Sequence, residues 1–303
     1  MQYTKNFFSR HHLFTVLLIG LSIYIYWNYT REYELVPIDK NDEFYVNDLY
    51  LSKGNIYKNV LNEDQKRAYK EIVKYAKKGA TTGKIDLSKY DCKDFSTCNG
   101  IFEIANDAIL IDHPELLNYS NFGTMYKNNV LQLTFDKAVK FPIFEDIGRQ
   151  KMKIMISDMR KATKDMTDAE KILYVYDWFA ENTIYDKVFT GTSKNQSAYN
   201  VFINKNAVCA GFAKAANIIF FNLGIESYGV LGDLDGGAHM WNIVKYKDKY
   251  YYFDAVYAAG MKGRKDESGY YDGLKSTKLN HNHTERYQGW FPKVEEVDMD
   301  LGV

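Results

Sequence analysis

The stretch NAVCAGFAKAANIIFFNLGI, residues 206–225, joins a cysteine to the start of an apolar helix. Downstream of Cys209, apolar side chains recur three or four residues apart, which predicts a helix with one buried face. That face consists of Phe212, Ala216, Ile219, Phe220 and Leu223. Gly224 is typical of the residue that ends a helix. The stretch therefore predicts a buried helix that carries Cys209 in its first turn.

The position of Cys209 allows two interpretations. Cysteine is most often a small buried hydrophobic residue, so packing is the ordinary role. The first turn of a helix, however, presents unpaired amides and the positive end of the dipole, and both favour an anion such as a thiolate. Gly211 has no side chain, so we expect a substrate to approach the backbone closely there. This stretch alone leaves both a packing residue and a nucleophile open.

A thiolate nucleophile needs a base and a group that orients the base, and two residues further on could supply them. His239 opens the predicted strand AHMWNIVKYK, and Asp254 ends the next strand, YYYFDAVY. A two-residue turn at 248–249 puts Asp254 opposite Ile243, on the same face as His239 but about 13 Å from it along a flat strand. That separation is too long for a hydrogen bond, so twist, a bulge or a different turn must close it.

Other segments predict helices and strands on both sides of a boundary near Lys164. Capping signals and apolar periodicity predict helices at 62–80, 95–113, 144–162 and 167–179. Turn signals and alternation predict strands at 128–135, 226–232, 238–247 and 250–257. One helix that feeds an antiparallel sheet is an α+β arrangement. We therefore expect a mixed, mainly helical region at 51–164 and an α+β domain at 165–303.

The amino terminus has the pattern of a membrane anchor. Residues 13–27, LFTVLLIGLSIYIYW, carry no charge and follow Lys5 and Arg10. This run is short for a span of about 20 residues, but the aromatic side chains at its end suit the membrane interface. We predict a signal anchor at 13–29, with residues 1–12 in the cytoplasm, a tether at 30–50 and the remainder outside. A cleaved secretory signal is the alternative.

Composition and the remaining cysteines limit the partners. The chain has 303 residues, of which 46% are hydrophobic, enough for a sizeable core. Lys plus Arg and Asp plus Glu number 39 each, so no basic excess indicates a nucleic-acid partner. Cys92 and Cys98 are close enough in sequence to form a short disulfide outside the cytoplasm, and two free thiols are equally compatible with the pattern. Cys209 is then the odd cysteine, a candidate reactive thiol.

The sequence predicts neither a metal site nor a cofactor. A zinc site built from Cys209, His239 and a carboxylate would lack the spacing of zinc ligands. The motif His-Asn-His at 281–283 has no further ligand cluster beside it, so we interpret it as a surface loop. Trp241, which lies between His239 and the rest of its strand, could line a site or fill the core.

Three segments together resemble the transglutaminase-like superfamily of papain-type cysteine enzymes: AVCAGFAKAANIIFFNLGIESYGVLG, AHMWNIV and YYYFDAVY. In that superfamily a cysteine begins a helix, a histidine begins a strand and an aspartate ends the next strand. The resemblance implies that Cys209 is the nucleophile, His239 the base and Asp254 the orienter of the imidazole. It covers about residues 165–260 and extends only loosely over 50–160. Gln196 and Tyr199 are candidate oxyanion donors beside the Cys209 amide.

The resemblance also implies a function. The expected enzyme acts on amide or peptide bonds of proteins or cell-wall peptides through a thioester acyl-enzyme. Transfer to water makes it a peptidase or amidase, and transfer to an amine makes it a transglutaminase. With the predicted anchor and a composition rich in Lys, Asn, Tyr and Ile, we expect a bacterial, membrane-anchored member whose catalytic domain is extracellular. The alternative is a non-catalytic surface scaffold with the same fold. The oligomeric state stays open.

Overall fold

The structure, a computed structural model, describes residues 15–24, 42–92, 94–119, 122–139, 142–187, 195–276 and 283–302. The chain divides into two compact units, Met1–Tyr45 and Val46–Val303. In the first unit, residues 15–24 form helix α1. Among the described residues, no helix combines the length and apolar character needed to cross a membrane. The rest of the predicted anchor at 13–29 lies outside the described residues, and the anchor stays a prediction.

The second unit mixes helices with antiparallel sheets, which confirms the predicted α+β class. Its helices are α2 (Asn55–Asn59), α3 (Glu63–Lys77), α4 (Phe95–Asp112), α5 (Pro142–Ala162), α6 (Asp168–Asn182) and α7 (Cys209–Leu223). Its strands are β1 (Thr82–Asp86), β2 (Phe122–Lys127), β3 (Val130–Phe135), β4 (Ile184–Tyr185), β5 (Asn206–Ala207), β6 (Ser227–Leu234), β7 (Gly237–Tyr246), β8 (Lys249–Phe253) and β9 (His283–Glu285).

The strands form three sheets. A three-stranded antiparallel sheet has the order β1-β3-β2, and the short strands β4 and β5 pair in parallel. The sheet that positions the candidate site has the order β8-β7-β6-β9, and all its pairs are antiparallel. Strand β9 lies about 50 residues from its partner β6 in the sequence, so it is the long-range member of this sheet.

The helix starts follow the capping signals of the sequence. Helix α3 begins after Asn62, helix α4 after Asp94 and helix α6 after Thr167. At each start the capping side chain accepts a hydrogen bond from the third helical amide, and the side chain of that third residue bonds back to the cap. This reciprocal arrangement satisfies two amides that have no partner inside the helix. The predicted starts of these helices are confirmed.

Helix α7 is buried on more than the single face that its periodicity predicts. Its buried residues are Gly211, Phe212, Ala213, Lys214, Ala215, Ala216, Asn217, Ile218, Ile219, Phe220 and Leu223. One side joins a core with helices α5 and α6, while Ala213 joins a second core with α3, α4 and the first sheet. The prediction of one buried face is therefore too narrow, because the N-terminal region covers the helix from its other side.

The predicted boundary near Lys164, between a mainly helical region and an α+β domain, stays a prediction. Residues on both sides of it belong to the compact unit Val46–Val303, and the two cores contain residues from both sides. The last residues of the predicted tether at 30–50 also lie in this unit, with Val46 and Leu49 buried. Residues 30–41 of the tether lie outside the described residues.

Cys92 and Cys98 form a disulfide, as one of the two interpretations of their spacing predicts. The bridge closes a short loop at the start of helix α4 and encloses its capping residue, Asp94. Cys209 is the remaining cysteine and carries a free thiol. The structure thus separates the cysteines into a structural pair and one thiol in another part of the unit.

Candidate active site

Cys209 is the first residue of helix α7, as predicted, and the backbone before it is held by a short parallel pair of strands. Strand β5 ends at Ala207 and pairs with β4, and the Asp186 amide donates to the Ala207 carbonyl at 2.9 Å. The Val208 amide donates to the Asn195 carbonyl at 2.9 Å. Cys209 itself is half-buried. These bonds fix the entry of the chain into α7 and so fix the position of the thiol.

Gly211 serves the packing of the chain itself, which corrects the expectation that it admits substrate. A Cβ atom at this position would lie 2.7 Å from the Ala207 Cβ and 3.0 Å from the Ser197 carbonyl oxygen. Both distances are shorter than normal contacts, so a side chain here would displace the segment that leads to Cys209. Glycine is required because the 195–197 backbone crosses the first turn of α7.

The hairpin of β7 and β8 differs in register from the predicted one. Its turn residues are Lys247 and Asp248, with φ of 48° and 61°, and Tyr246 pairs with Lys249. Two left-handed turn residues are the signature of the type I′ hairpin. Because the turn comes one residue earlier than predicted, Asp254 lies two residues closer to His239, about 7 Å along the strand. Side chains on one face can bridge that distance.

His239 and Asp254 are hydrogen-bonded, with 2.6 Å between His239 Nε2 and Asp254 Oδ2. The thiol of Cys209 lies close enough to the same imidazole to influence its pKa. Burial lowers the pKa of His239, but the hydrogen bonds to Asp254 and Cys209 and their charges outweigh it and raise the pKa to about 10. The imidazole is therefore protonated at neutral pH, between a carboxylate and a thiol.

Asp254 is held in a fixed orientation from several directions. Its Oδ1 accepts from the Val256 amide at 2.9 Å, and its own amide donates to the Gly273 carbonyl at 2.8 Å. Burial of this side chain would raise its pKa, but the hydrogen bonds from His239 and His283 lower the pKa to about 2. Asp254 is thus a buried carboxylate that keeps its charge.

A second histidine, which no sequence pattern indicates as a site residue, reaches the same carboxylate. His283 Nε2 lies 3.3 Å from Asp254 Oδ2, and its side chain is only 4% exposed. The prediction that residues 281–283 form a surface loop is wrong for His283, because strand β9 pairs with β6 and carries this side chain into the site. Residues 281 and 282 lie outside the described residues.

Trp241 both fills the core and borders the site. It is 1% exposed and stacks on His239, with 6.1 Å between ring centroids and 16° between ring planes. It also meets His283 edge-on, with 4.7 Å between ring centroids. The indole therefore limits the movement of both imidazoles.

The two candidate oxyanion donors of the sequence, Gln196 and Tyr199, differ in their surroundings. Tyr199 is buried, and its hydroxyl donates to the Phe144 carbonyl at 3.4 Å, so it belongs to the contact with helix α5. Gln196 is half-buried and stays a candidate. Tyr185 of strand β4, which no sequence pattern indicates as a site residue, lies close enough to Cys209 for the two to interact, and burial first and then Cys209 raise the pKa of its hydroxyl. The parallel pairing of β4 and β5 brings it there.

The arrangement has the parts needed for acyl transfer. A free thiol at a helix start lies near an imidazole, and a buried carboxylate holds that imidazole through Nε2. The Cys209 amide and the Tyr185 hydroxyl lie beside the thiol, where a carbonyl oxygen would develop charge. His239, Asp254 and His283 are also the group of side chains that could hold a metal ion among the described residues.

Comparison with known proteins gives a match to one family model. The family model "Transglutaminase-like superfamily" matches residues 157–255, which include α6, α7 and the β6–β8 strands. No protein of curated function matches the sequence.

Several solved structures are similar over part of the chain. A structure described as a TGase shares 18% identity over 47% of this chain and 47% of that chain, with a TM-score of 0.31. A proposed cysteine protease from Cytophaga hutchinsonii shares 15% identity over 46% of this chain and 62% of that chain, also with a TM-score of 0.31. The periplasmic domain of TgpA from Pseudomonas aeruginosa, bound to ethylmercury, shares 13% identity over 43% and 56%, with a TM-score of 0.29.

The chain spans from 47% to 62% of the length of these three structures. The match at residues 157–255 contains Cys209, His239 and Asp254 in the order expected from the sequence. This region of the chain matches the model of the transglutaminase-like superfamily.

Proposed function

We propose that the protein is a cysteine enzyme that acts on amide or peptide bonds through a thioester on Cys209. The observation that carries the proposal is the 2.6 Å hydrogen bond between His239 Nε2 and Asp254 Oδ2, with the Cys209 thiol close enough to the same imidazole to raise its pKa. In this proposal Cys209 is the nucleophile, His239 the acid and base, and Asp254 the group that orients the imidazole. A scaffold without catalysis would not need a protonated imidazole between a buried carboxylate and a thiol.

In the first half of the reaction, Cys209 Sγ attacks the carbonyl carbon of the amide. The carbonyl oxygen takes up negative charge beside the Cys209 amide, and the Tyr185 hydroxyl can rotate to donate to the same oxygen. His239 Nε2 is bonded to Asp254, so Nδ1 is the ring nitrogen that faces the thiol and gives its proton to the leaving amine. The products are a thioester on Cys209 and a free amine.

In the second half, water or another amine attacks the thioester carbon. His239 Nδ1, now without its proton, accepts one from the attacking group, and the bond between carbon and sulfur breaks. This step releases an acid or a new amide and restores the thiolate beside the imidazolium. The triad can serve both acceptors. We propose hydrolysis as the main reaction and amine transfer as the second.

The substrate class and location follow from the sequence. We propose that proteins or cell-wall peptides are the substrates, and that the N-terminal segment at 13–29 anchors the chain so that the enzyme acts outside the cell. The apolar run at 13–27 with its basic flank supports this location. A full-length chain that fractionates with membranes and is digested by protease on intact cells is the expected result.

The chemistry is tested with p-nitrophenyl acetate as an activated acyl donor, in a buffer that contains a chelator. We expect one acetyl group on Cys209 by peptide mass spectrometry, release of p-nitrophenol with turnover, and neither in Cys209→Ala. Addition of a primary amine then measures the partition of the thioester between acid and amide.

Two outcomes would decide against the proposal. Equal turnover by wild type and Cys209→Ala places the reaction elsewhere. A folded wild type with no acetyl group on Cys209 and no turnover favours the scaffold.

A further inference from the structure

Asp254 receives two histidines on a single oxygen, which the proposed triad does not require. Oδ2 lies 2.6 Å from His239 Nε2 and 3.3 Å from His283 Nε2, while Oδ1 accepts from the Val256 amide. The side chains of all three partners are nearly buried, with 8% of His239, 3% of Asp254 and 4% of His283 exposed. Two nitrogens and one oxygen thus converge in a nearly dry position.

The spacing of these three atoms suits a divalent transition metal. Zinc bonds to imidazole nitrogen and carboxylate oxygen are about 2.0–2.2 Å long, so tetrahedral ligand atoms lie about 3.3 Å apart. The three atoms here all lie within 4.8 Å of one another, and His283 is already at 3.3 Å from Oδ2. An opening of the shorter contact by about 0.7 Å would reach zinc geometry.

Neighbouring aromatic side chains hold the imidazole rings of His239 and His283 in place. Trp241 stacks on His239 and meets the edge of His283, and Tyr252 lies 5.7 Å from the His283 ring. Imidazole and carboxylate together are a ligand set that zinc takes in open sites, which keep a fourth position for water. Supporting contacts of this kind orient metal ligands and strengthen binding.

We propose that His239, Asp254 and His283 form a binding site for a divalent transition metal such as Zn²⁺, and that the bound ion switches the cysteine chemistry off. The metal takes both Nε2 atoms and Oδ2. A proton that either Nε2 carries is released to solvent when the metal binds, and His239 keeps a proton on Nδ1.

The loss of activity follows from the same ring and rests on the proposed function. An imidazole with a metal on Nε2 and a proton on Nδ1 has no lone pair with which to accept a proton from water or an amine. Donation of the Nδ1 proton to the leaving amine would leave a metal-bound imidazolate, so the ring would serve neither the formation nor the resolution of the thioester on Cys209. Removal of the ion restores the imidazole, so the block is reversible.

The site is tested by titrating the purified, metal-free full chain with Co²⁺, whose visible absorption reports tetrahedral ligands. We expect one Co²⁺ per chain, displaced by Zn²⁺. His283→Phe keeps an aromatic ring against Trp241 but removes the nitrogen, and we expect it to weaken binding by about 100-fold, since loss of even outer partners costs about 10–100-fold. His283→Gln, a polar replacement, should weaken binding in the same direction.

Two controls separate this site from other metal ligands. Cys209→Ala should bind Co²⁺ as wild type does, because the thiol is not a ligand in this proposal. His113→Gln removes another buried histidine, which lies 2.6 Å from Glu115 in a different part of the unit, and should leave binding unchanged. Thermal unfolding of each variant, with and without Co²⁺, shows whether it folds and whether the ion stabilises it.

Loss of Co²⁺ binding in Cys209→Ala would overturn the proposal in favour of a site made by the thiol. Equal binding by wild type and both His283 variants, or no binding by folded wild type, would also overturn it. Absorbance does not depend on turnover, so an unreactive Cys209 would defeat the proposed enzyme and leave this test intact.

Discussion

The β7–β8 hairpin and the C-terminal segment 283–302 each bring a histidine to Asp254, but they do so by different means. His239 and Asp254 lie 15 residues apart on adjacent strands joined by a two-residue turn, so local pairing brings them together. His283 follows Asp254 by 29 residues and reaches it only because β9 pairs with β6 at the sheet edge. One contact is built by a hairpin, and the other depends on long-range pairing.

The difference shows which residues of a site can be recognised from the sequence. A histidine at the start of an alternating strand and an aspartate at the end of the next carry their own local signals. His283 lies on a three-residue strand without an apolar pattern, so no local signal marks it. The contrast also predicts different roles for the two histidines. His239 acts on the thiol of Cys209, and His283 contacts only Asp254 of the proposed triad.

The largest expected effect separates the two histidines by their influence on the thiol. An isolated thiol is almost wholly protonated at pH 6, whereas an imidazolium beside Cys209 favours the thiolate. We expect His239→Ala to slow alkylation of Cys209 by iodoacetamide at pH 6 by about 100-fold. His283→Phe should slow it by less than about tenfold, since His283 acts only through Asp254.

Rates are measured by mass spectrometry of the Cys209 peptide in chelator, with Cys209→Ala as the blank. Equal alkylation rates for wild type and His239→Ala would contradict the proposed difference between the two histidines, because neither would then be coupled to the thiol.

Most of the region around Cys209 and His239 could be predicted from the sequence, and the reasons are physical. Helix α7 and strands β7 and β8 show the periodicities of buried helices and strands, and they occur where predicted. The hairpin register could not be predicted, because its left-handed turn residues are Lys247 and Asp248, neither of which is the glycine that usually marks such a turn. Packing, not turn chemistry, selects this register.

Contacts made by very short strands were equally hidden. Tyr185 reaches the Cys209 amide through β4, a strand of two residues that pairs with β5 across an intervening loop. The extent of burial of α7 was not predicted for a related reason, since the second core that covers it combines residues of the N-terminal region with residues of β6 and β7. Periodicity shows that a face is buried but not what will cover the opposite face.

A second prediction concerns the ion pair within the hairpin. The pKa of His239 is raised from 6.5 to about 10, so the folded protein holds this proton more tightly than the unfolded chain. The stabilisation is complete below pH 6.5 and is lost as the pH rises through about 10. We expect the difference in free energy of unfolding between wild type and His239→Gln to shrink over that interval.

Urea unfolding in metal-free buffer at pH 6, 8 and 10 measures this difference. The same substitution in an Asp254→Asn background is the control, because the ion pair is absent there and the difference should vary little with pH. A constant difference in the wild-type background would mean that His239 gains no proton affinity on folding.

A third prediction tests the long-range pairing that carries His283. Gly232 lies on β6 between His239 and Glu285, and a Cβ atom there would lie 2.1 Å from the Thr284 carbonyl oxygen and 2.6 Å from the Trp241 ring. Gly232→Ala must push β9 or the indole away, which we expect to destabilise the protein by about 1–3 kcal/mol.

Gly237→Ala is the matched control in the same hairpin, since its nearest neighbour would be the Leu234 carbonyl at 3.5 Å, an ordinary contact. Urea unfolding gives the stabilities. If Gly232→Ala and Gly237→Ala are equally stable, β9 does not pack against β6 as closely as the structure has it.

The smallest effect on the site should come from the disulfide, which lies in the N-terminal region. Cys92 and Cys98 are separated by six positions, so the bridge closes a short loop, and loop-closure entropy gives it about 2 kcal/mol of stabilisation. We expect Cys92→Ala with Cys98→Ala to lower the free energy of unfolding by about this amount while Cys209 alkylates at the wild-type rate.

Wild type reduced under mild conditions is the control, since it loses the bridge but keeps both sulfur atoms. One reactive thiol in the unfolded, unreduced chain confirms the starting state. A double variant that is as stable as wild type but alkylates Cys209 more slowly would show that the N-terminal region acts on the site through this loop, and the contrast between a structural region and a reactive one would fail.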